Sequence, residues 1–203
     1  MDCGQCTGNC HPPGLWSRLF GQPSHPPLAF LERTKRVALV GCPNVGKSLL
    51  FNALTQSYAT VSNYPGTTVE VTEGQLQVDD WQVTLIDTPG TYSLMPVTEE
   101  EAVTRTLLLT SALDLVLHVV DAKNLGRMLP MTLQLIEANV PTILVMNMVD
   151  EAARLGLSVK ADVIAARLGI PVVTTSATRH QGIAELIHAI TRHVTAHHLS
   201  PTH

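Results

Sequence analysis

The segment Gly41–Ser48, GCPNVGKS, constrains this chain more than any other stretch. It follows the apolar run 37–40 and precedes the helix-forming run 49–54. Between a strand and a helix, the spacing G-x-x-x-x-G-K-S is the P-loop pattern, whose backbone N–H groups enclose a phosphate. We expect Lys47 to reach the β- and γ-phosphate oxygens and Ser48 to ligate Mg²⁺. The alternative is a glycine-rich turn that holds no phosphate. The residues expected to bind nucleotide here are Gly41, Cys42, Pro43, Asn44, Val45, Gly46, Lys47, Ser48 and Leu49.

Length and composition indicate one globular α/β domain with a tail. The chain has 203 residues, of which 45% are hydrophobic and 15% charged. A net charge of −4 argues against non-specific nucleic-acid binding, although a small basic patch stays open. The sequence contains neither an apolar run of membrane-spanning length nor a secretion signal pattern. We therefore expect a cytosolic chain with no nucleic-acid partner.

Residues 1–34 are rich in Gly, Pro and Cys and are expected to form a tail. Four candidate metal ligands within it are spaced C-x-x-C-x-x-x-C-H: Cys3, Cys6, Cys10 and His11. Thiolates favour Zn²⁺ and iron, so this segment could hold either and act as a metal-sensing module. The alternative is an unstructured tail with reduced thiols. We assign the folded domain to residues 35–196 and a C-terminal tail to 197–203.

From residue 35 onward, apolar runs alternate with helical periodicity. Strands are predicted at 35–41, 69–78, 81–86, 115–120, 142–146 and 171–175. Helices are predicted at 47–56, 97–111, 125–139 and 159–168 and from 183 onward, and residues 57–68 are predicted to be a polar loop. Such alternation predicts a mostly parallel sheet with helices on both faces, and the 69–86 hairpin adds one antiparallel edge strand. His118, inside a buried strand, is expected to be a satisfied core histidine.

A D-x-x-G motif, Asp87–Gly90, follows the second strand of the hairpin. Ligands of such sheets bind at the carboxyl ends of the strands. The Asp87 carboxylate is therefore expected near Mg²⁺, through water, and the Gly90 N–H near the γ-phosphate.

An N-x-x-D motif, Asn147–Asp150, follows the 142–146 strand, and Ser176-Ala177-Thr178 follows the last strand. A carboxylate at Asp150 can accept hydrogen bonds from N1 and the 2-amino group of guanine, which adenine cannot both donate. A backbone N–H in the 176–178 segment can contact the guanine oxygen. Each motif is weak alone, but the ordered set predicts a guanine-nucleotide-binding domain.

Over residues 35–193 the chain resembles the TrmE–Era–FeoB class of GTPases, and within it the FeoB-type ferrous iron transporters. The resemblance is carried by the P-loop with Pro43-Asn44, by GTTVE at 66–70, DTPGTYSL at 87–94, VDAKNL at 120–125, TLQL at 132–135 and NMVD at 147–150. It implies a three-layer Ras-like P-loop GTPase fold that binds GTP or GDP with Mg²⁺. It also implies a place on the cytoplasmic face of the bacterial inner membrane. The partner would be a membrane permease domain of the same longer protein, with oligomers formed through the membrane part. The chain would then be a fragment or a short relative.

The resemblance also implies residue roles. Thr68 would be the second protein ligand to Mg²⁺, with Thr67 as the fallback. Asn44 would stand beside a K⁺ ion that neutralises charge at the phosphates, and its alternative role is to shape the loop. Lys47, Thr68 and Gly90 are the expected catalytic residues.

Two departures from related GTPases bear on activity. Met148 stands where the fourth motif usually has lysine; it can pack under the base but brings no charge. Thr91 stands where Ras-like enzymes have a water-positioning glutamine, so intrinsic hydrolysis should be slow. The expected function is a slow, potassium-stimulated GTPase switch that regulates ferrous iron transport. The alternative is a soluble Era-like GTPase that acts on RNA or ribosome assembly.

Overall fold

The computed structural model describes residues 34–55 and 59–196. Seven strands form one sheet with the order β2-β3-β4-β1-β5-β6-β7. The strands are β1 (Thr34–Val40), β2 (Thr60–Asn63), β3 (Glu70–Val78), β4 (Trp81–Asp87), β5 (Leu115–Asp121), β6 (Thr142–Asn147) and β7 (Val172–Thr174). The helices are α1 (Lys47–Leu54), α2 (Glu99–Thr110), α3 (Leu125–Glu137), α4 (Val149–Arg154), α5 (Ala161–Leu168) and α6 (Ile183–Ala196).

The sheet is mostly parallel with an antiparallel region at one edge. β1 pairs in parallel with β4 and β5, and β6 joins β5 and β7 in the same direction. β3 runs antiparallel to both β4 and β2. The predicted fold class is therefore confirmed, with β2 added outside the expected hairpin.

The core consists of two apolar layers, one on each face of the sheet. Residues 37–40 of β1 and all of β5 and β6 are buried, as expected for parallel strands covered on both sides. On one face these strands pack against side chains of α1 and α6, including Phe51 and Ile190. On the other face they pack against α2 and α3, including Leu107 and Leu135. This three-layer arrangement leaves the edge at the carboxyl ends of the parallel strands for the loops.

The structure corrects several predicted boundaries. The expected loop 57–68 contains β2, whose four residues are exposed and pair with β3 through the backbone, so no apolar alternation marks it. Helix α4 has six residues, too short to display a period, and was not predicted. Helix α2 begins at Glu99, not at residue 97, because the Thr98 side chain accepts a hydrogen bond from the Glu101 N–H as the N-cap. Helix α5 likewise begins at Ala161, two residues later than predicted.

Helix α3 buries a polar residue, Thr132, and exposes the neighbouring Leu133. Leu133 is 46% exposed, while Met131, Thr132 and Leu135 are buried. Thr132 faces His118 of β5, with 3.0 Å between its Oγ1 and the imidazole Nδ1. His118 is therefore a core residue as expected, but its Nε2 has no hydrogen-bond partner in the described ranges, and burial lowers its pKa to about 4.

Several expectations fall outside the described residues. The four candidate metal ligands of the N-terminal segment lie there, as does the tail 197–203. Within 34–55 and 59–196, no cluster of three or more His, Cys, Asp or Glu side chains could hold a metal ion. No helix in these same ranges is long and apolar enough to cross a membrane.

Candidate nucleotide-binding site

The sequence motifs come together at one edge of the sheet. The P-loop follows β1, residues 88–90 follow β4, residues 148–150 follow β6 and residues 176–178 follow β7. These four strands are mutually parallel, so their carboxyl ends meet at the same edge. That edge is where open α/β sheets bind ligands.

Two glycines allow the P-loop to close on its neighbours. Gly41 has φ of 148° and Gly46 has φ of 90°. A Cβ at Gly41 would lie 2.1 Å from the Val119 carbonyl oxygen, and one at Gly46 would lie 2.4 Å from Asn147 Nδ2. Any side chain would push the loop away from β5 and from the N-x-x-D segment. Both predicted glycine positions therefore depend on the absence of a side chain.

The Lys47 ammonium group lies inside the loop. Its Nζ donates hydrogen bonds to the carbonyl oxygens of Gly41 and Cys42, each at 3.1 Å. Burial lowers the pKa of Lys47, and the nearby Asp87 carboxylate acts in the opposite direction. Cys42 is also buried, which raises the pKa of its thiol, so the thiol is a packing group. The loop thus encloses one positive charge, as a phosphate site requires.

Ser48 and Asp87 form the candidate magnesium site. The Ser48 hydroxyl donates to Asp87 Oδ2 at 2.7 Å. Asp87 Oδ1 is buried and has no hydrogen-bond partner among the described residues. Burial raises the pKa of this carboxyl, against the Ser48 hydrogen bond and the Lys47 charge, which lower it. A hydroxyl and a carboxylate oxygen without a partner are the hard oxygen ligands that Mg²⁺ prefers, so these residues fit that ion.

The two candidate threonines before β3 differ in their contacts. Thr67 Oγ1 donates to the Tyr64 carbonyl oxygen at 2.9 Å and accepts the Val69 N–H at 3.2 Å, so it stabilises the turn. Thr68 is exposed on the same turn. Within the described ranges, no hydrogen bond joins Thr68 to Ser48 or Asp87. The structure therefore brings Ser48 and Asp87 together but not Thr68.

Gly90 is in close contact with the P-loop. A Cβ on Gly90 would lie 2.9 Å from the Pro43 backbone nitrogen and 2.7 Å from its Cγ. The next residue, Thr91, donates its N–H to the Gly41 carbonyl oxygen at 3.0 Å. The segment after β4 is thus in direct contact with the P-loop.

Asn147 connects the phosphate loop to the loop after β7. Its Nδ2 donates to the Val45 carbonyl oxygen at 2.9 Å. Its Oδ1 accepts hydrogen bonds from Thr175 Oγ1 and from the Ala177 N–H, both at 3.1 Å. The residue is 1% exposed. One buried amide therefore holds three segments of the site at fixed positions.

Asp150 is the carboxylate at the predicted base position. Its Oδ1 accepts a hydrogen bond from Ser176 Oγ at 2.7 Å. Its Oδ2 accepts from Arg154 NH2 at 2.9 Å and is 3.2 Å from Arg179 Nε. The Ser176 hydroxyl first, and then the two arginines, hold the pKa of this carboxyl below its usual range. Asp150 is thus ionised and can only accept hydrogen bonds.

The remaining predicted residues lie around the P-loop and the segments after β6 and β7. Met148 has φ of 62°, and its Cε lies 3.8 Å from the Cβ position of Gly46, so it packs against the P-loop. Thr178 Oγ1 is 3.5 Å from Ser176 Oγ. Asn44, also in the left-handed region at φ 63°, and Leu49 of α1 are exposed.

Sequence reasoning missed two arginines beside Asp150. Arg154 stands four residues after Asp150, a spacing that places the two side chains on one face of a helix and could have been noticed. Arg179 lies three residues after Ser176 and reaches Asp150 only because β6 and β7 are neighbours, so no local pattern marks it.

Comparison with known proteins agrees with this geometry. The family model of ferrous iron transport protein B (FeoB), N-terminal region, matches residues 35–190. The Fe(2+) transporter FeoB of Escherichia coli K12 is 44% identical over 161 residues, and that of Salmonella typhimurium LT2 is equally similar. The match covers 77% of this chain but 21% of each relative, so the chain spans about a fifth of their length.

Solved structures give the same result. The G domain of T. maritima FeoB is 41% identical with a TM-score of 0.73, and the match covers 79% of this chain and 98% of that domain. The FeoB G-domain of Methanococcus jannaschii is 36% identical with a TM-score of 0.71, covering 80% and 99%. The cytosolic domain of T. maritima FeoB, in a GDP form, reaches a TM-score of 0.78 at 39% identity, covering 84% and 66%. The chain therefore belongs to the ferrous iron transport protein B family and contains its G domain, a fold that implies guanine-nucleotide binding.

Proposed function

We propose that this chain binds GTP, hydrolyses it slowly to GDP and phosphate, and uses the change to regulate ferrous iron transport. The observation that carries the proposal is the buried Asn147 amide, which holds the P-loop at a fixed position relative to the loop after β7, the segment proposed to face the base. A P-loop alone binds many nucleotides. A P-loop held at a fixed position relative to an ionised Asp150 is suited to a ligand with phosphates at one end and guanine at the other.

In this proposal the P-loop and Lys47 hold the phosphates, and Asp150 accepts the two guanine donors. Ser48 and Asp87, with Thr68 brought in from its exposed turn, would hold Mg²⁺, which neutralises phosphate charge when bound. The contacts of Gly90 and Thr91 with the P-loop support a response of that segment to the γ-phosphate. The GDP and GMPPNP forms of the T. maritima FeoB cytosolic domain support a nucleotide cycle in this family.

Slow hydrolysis follows from the residue after Gly90. Thr91 is buried, and its hydroxyl donates to the Ser93 carbonyl oxygen at 2.9 Å, so it stabilises its own segment. It has neither the length nor the free amide by which a glutamine orients an attacking water. Without such a glutamine, the rate of GTP hydrolysis would depend on cations that neutralise charge at the phosphates. The exposed Asn44 would place K⁺ there.

The wider setting is proposed from the relatives. The curated FeoB proteins extend far beyond the matched region and are Fe(2+) transporters. We propose that this domain works on the cytoplasmic side of the bacterial inner membrane, covalently joined to a membrane permease domain that can also form oligomers. Residues 1–33 and 197–203 would flank the domain as tails, since Thr34 already belongs to β1. Binding of Zn²⁺ or iron by the N-terminal cysteines stays a hypothesis.

The test is phosphate release from GTP and ATP by the full chain in KCl and in NaCl. We expect slow release from GTP, faster in KCl, and none above background from ATP. Lys47→Ala should abolish release, whereas Lys160→Ala, an exposed lysine outside the site, should not. Asn44→Ala should make the KCl and NaCl rates equal. Equal release from both nucleotides would contradict guanine specificity, and a wild type indifferent to the cation would remove the potassium role.

A further inference from the structure

Arg179 and Arg154 share one oxygen of the residue that is proposed to recognise guanine. Both guanidinium groups contact Asp150 Oδ2, while Ser176 donates to Oδ1. The Ser176 and Arg154 contacts are hydrogen bonds of 2.7 and 2.9 Å, and the Arg179 contact is an ion pair at 3.2 Å. Arg154 is the last residue of α4, and Ser176 and Arg179 both lie in the segment after β7.

A carboxylate has two acceptor positions on each oxygen. Ser176 occupies one position on Oδ1 and leaves the other free. On Oδ2, Arg154 donates a hydrogen bond and the Arg179 Nε lies 3.2 Å away as an ion pair, so two guanidinium nitrogens already surround this oxygen. A base with one donor can therefore use the free position on Oδ1 without disturbing these contacts. A base with two donors, one for each oxygen, must bring its second donor to the oxygen that both guanidinium groups contact.

Guanine has two such donors, N1–H and the 2-amino group, and hypoxanthine has only N1–H. Docking of guanine would therefore displace one of the two arginines from Oδ2, whereas docking of hypoxanthine would displace neither. Of the two arginines, Arg154 is also held near the Asp150 carbonyl oxygen, 3.4 Å from its Nε. Arg179 makes the longer contact with Asp150, at 3.2 Å against 2.9 Å.

We propose that Arg179 is a specificity-determining residue that competes with the 2-amino group of guanine for Asp150 Oδ2. The inference rests on the proposed guanine site and goes beyond it, because it says that the chain's own cation weakens guanine binding. The Arg179 side chain is 54% exposed, so water can solvate the released guanidinium and the competition is weak. Its expected consequences are a lower affinity for GDP, faster GDP release and a narrower preference for guanine over hypoxanthine.

The experiment measures the affinities of the full chain for GDP and for IDP, whose base is hypoxanthine, by displacement of a fluorescent ribose-labelled GDP. Arg179→Gln should bind GDP roughly two- to five-fold more tightly, the range set by one exposed ion pair, and release it more slowly. Its affinity for IDP should stay unchanged, so the ratio of GDP affinity to IDP affinity rises. Adding Arg154→Gln should bring little further gain, because one free position on Oδ2 already suffices.

Arg167→Gln is the matched control, since Arg167 is an exposed arginine at the C-terminal end of α5, before β7 and at the opposite edge of the sheet. It removes the same charge and should change neither affinity. If the ratio of GDP affinity to IDP affinity is unchanged or lower in Arg179→Gln, the proposal is overturned. Arg179 would then either have no effect on base preference or help to position Asp150. A wild type that binds ADP as well as GDP would overturn the proposed guanine site itself. The two failures are therefore distinguishable.

Discussion

Replacing Asn147 with alanine tests whether one buried amide holds the P-loop and the loop after β7 together. The change removes hydrogen bonds of 2.9, 3.1 and 3.1 Å to Val45, Thr175 and Ala177. The three partner groups are left in a buried region, where each lost hydrogen bond costs about 1 kcal/mol. We expect the free energy of unfolding to fall by about 3 kcal/mol, and Tm by about 6 to 12 °C for a chain of this size.

The assay is urea and thermal unfolding followed by circular dichroism, with GDP affinity measured in parallel below the transition. Thr175→Val is the matched control, because it removes only the bond at 3.1 Å to Asn147 Oδ1 and should cost about 1 kcal/mol. GDP binding should weaken much more in Asn147→Ala than in Thr175→Val. The reasoning is refuted if Asn147→Ala is no less stable than the control, or if it is destabilised while GDP affinity is unchanged.

Two further predictions concern the titratable groups His118 and Glu101, both of which are buried. His118 has a pKa of about 4 in the folded chain, against 6.5 as its ordinary value, so the unfolded chain binds more protons between these pH values. As pH falls from about 7 to 4, the free energy of unfolding of the wild type should therefore drop by about 3 kcal/mol more than that of His118→Leu. Parallel pH profiles of the two proteins in urea unfolding would contradict this. Glu101 accepts the backbone N–H groups of Val97 at 2.8 Å and Tyr92 at 3.4 Å, so Glu101→Ala should cost about 2 kcal/mol and speed hydrogen exchange at both amides. Unchanged exchange at Val97 would show that Glu101 does not restrain this segment.

The parts of the fold that could be predicted are those in which burial leaves a periodic signal. β1, β5 and β6 are buried along most or all of their length and read as apolar runs, and the P-loop glycines are required by contacts of 2.1 and 2.4 Å. Strand β2 has no buried residue and pairs only through its backbone, so the sequence carries no pattern for it. Apolar periodicity does not reveal the buried face of α3 in full, because Thr132, a polar residue, is fully buried against His118 while Leu133 is exposed.

The candidate site shows the same division. The residues proposed to contact the nucleotide, such as Lys47 and Asp150, are marked by short patterns at strand ends. Residues that hold those motifs in place are marked by tertiary proximity alone. The reach of Asn147 across to the P-loop and the approach of Arg179 to Asp150 depend on the order of the strands in the sheet, which no local spacing encodes.

Recognition of guanine through Asp150 is tested most directly by the affinities for GDP and for XDP, whose base is xanthine, before and after Asp150→Asn. The wild type should prefer GDP. The variant should lose about a hundredfold or more of its GDP affinity, because two hydrogen bonds to a charged acceptor are lost, and should prefer XDP, because the asparagine amide can donate to the 2-oxo group of xanthine. Asp162→Asn, an exposed carboxylate at the start of α5, should leave the preference for GDP unchanged. An unaltered preference for GDP in Asp150→Asn would contradict the assignment of the guanine site.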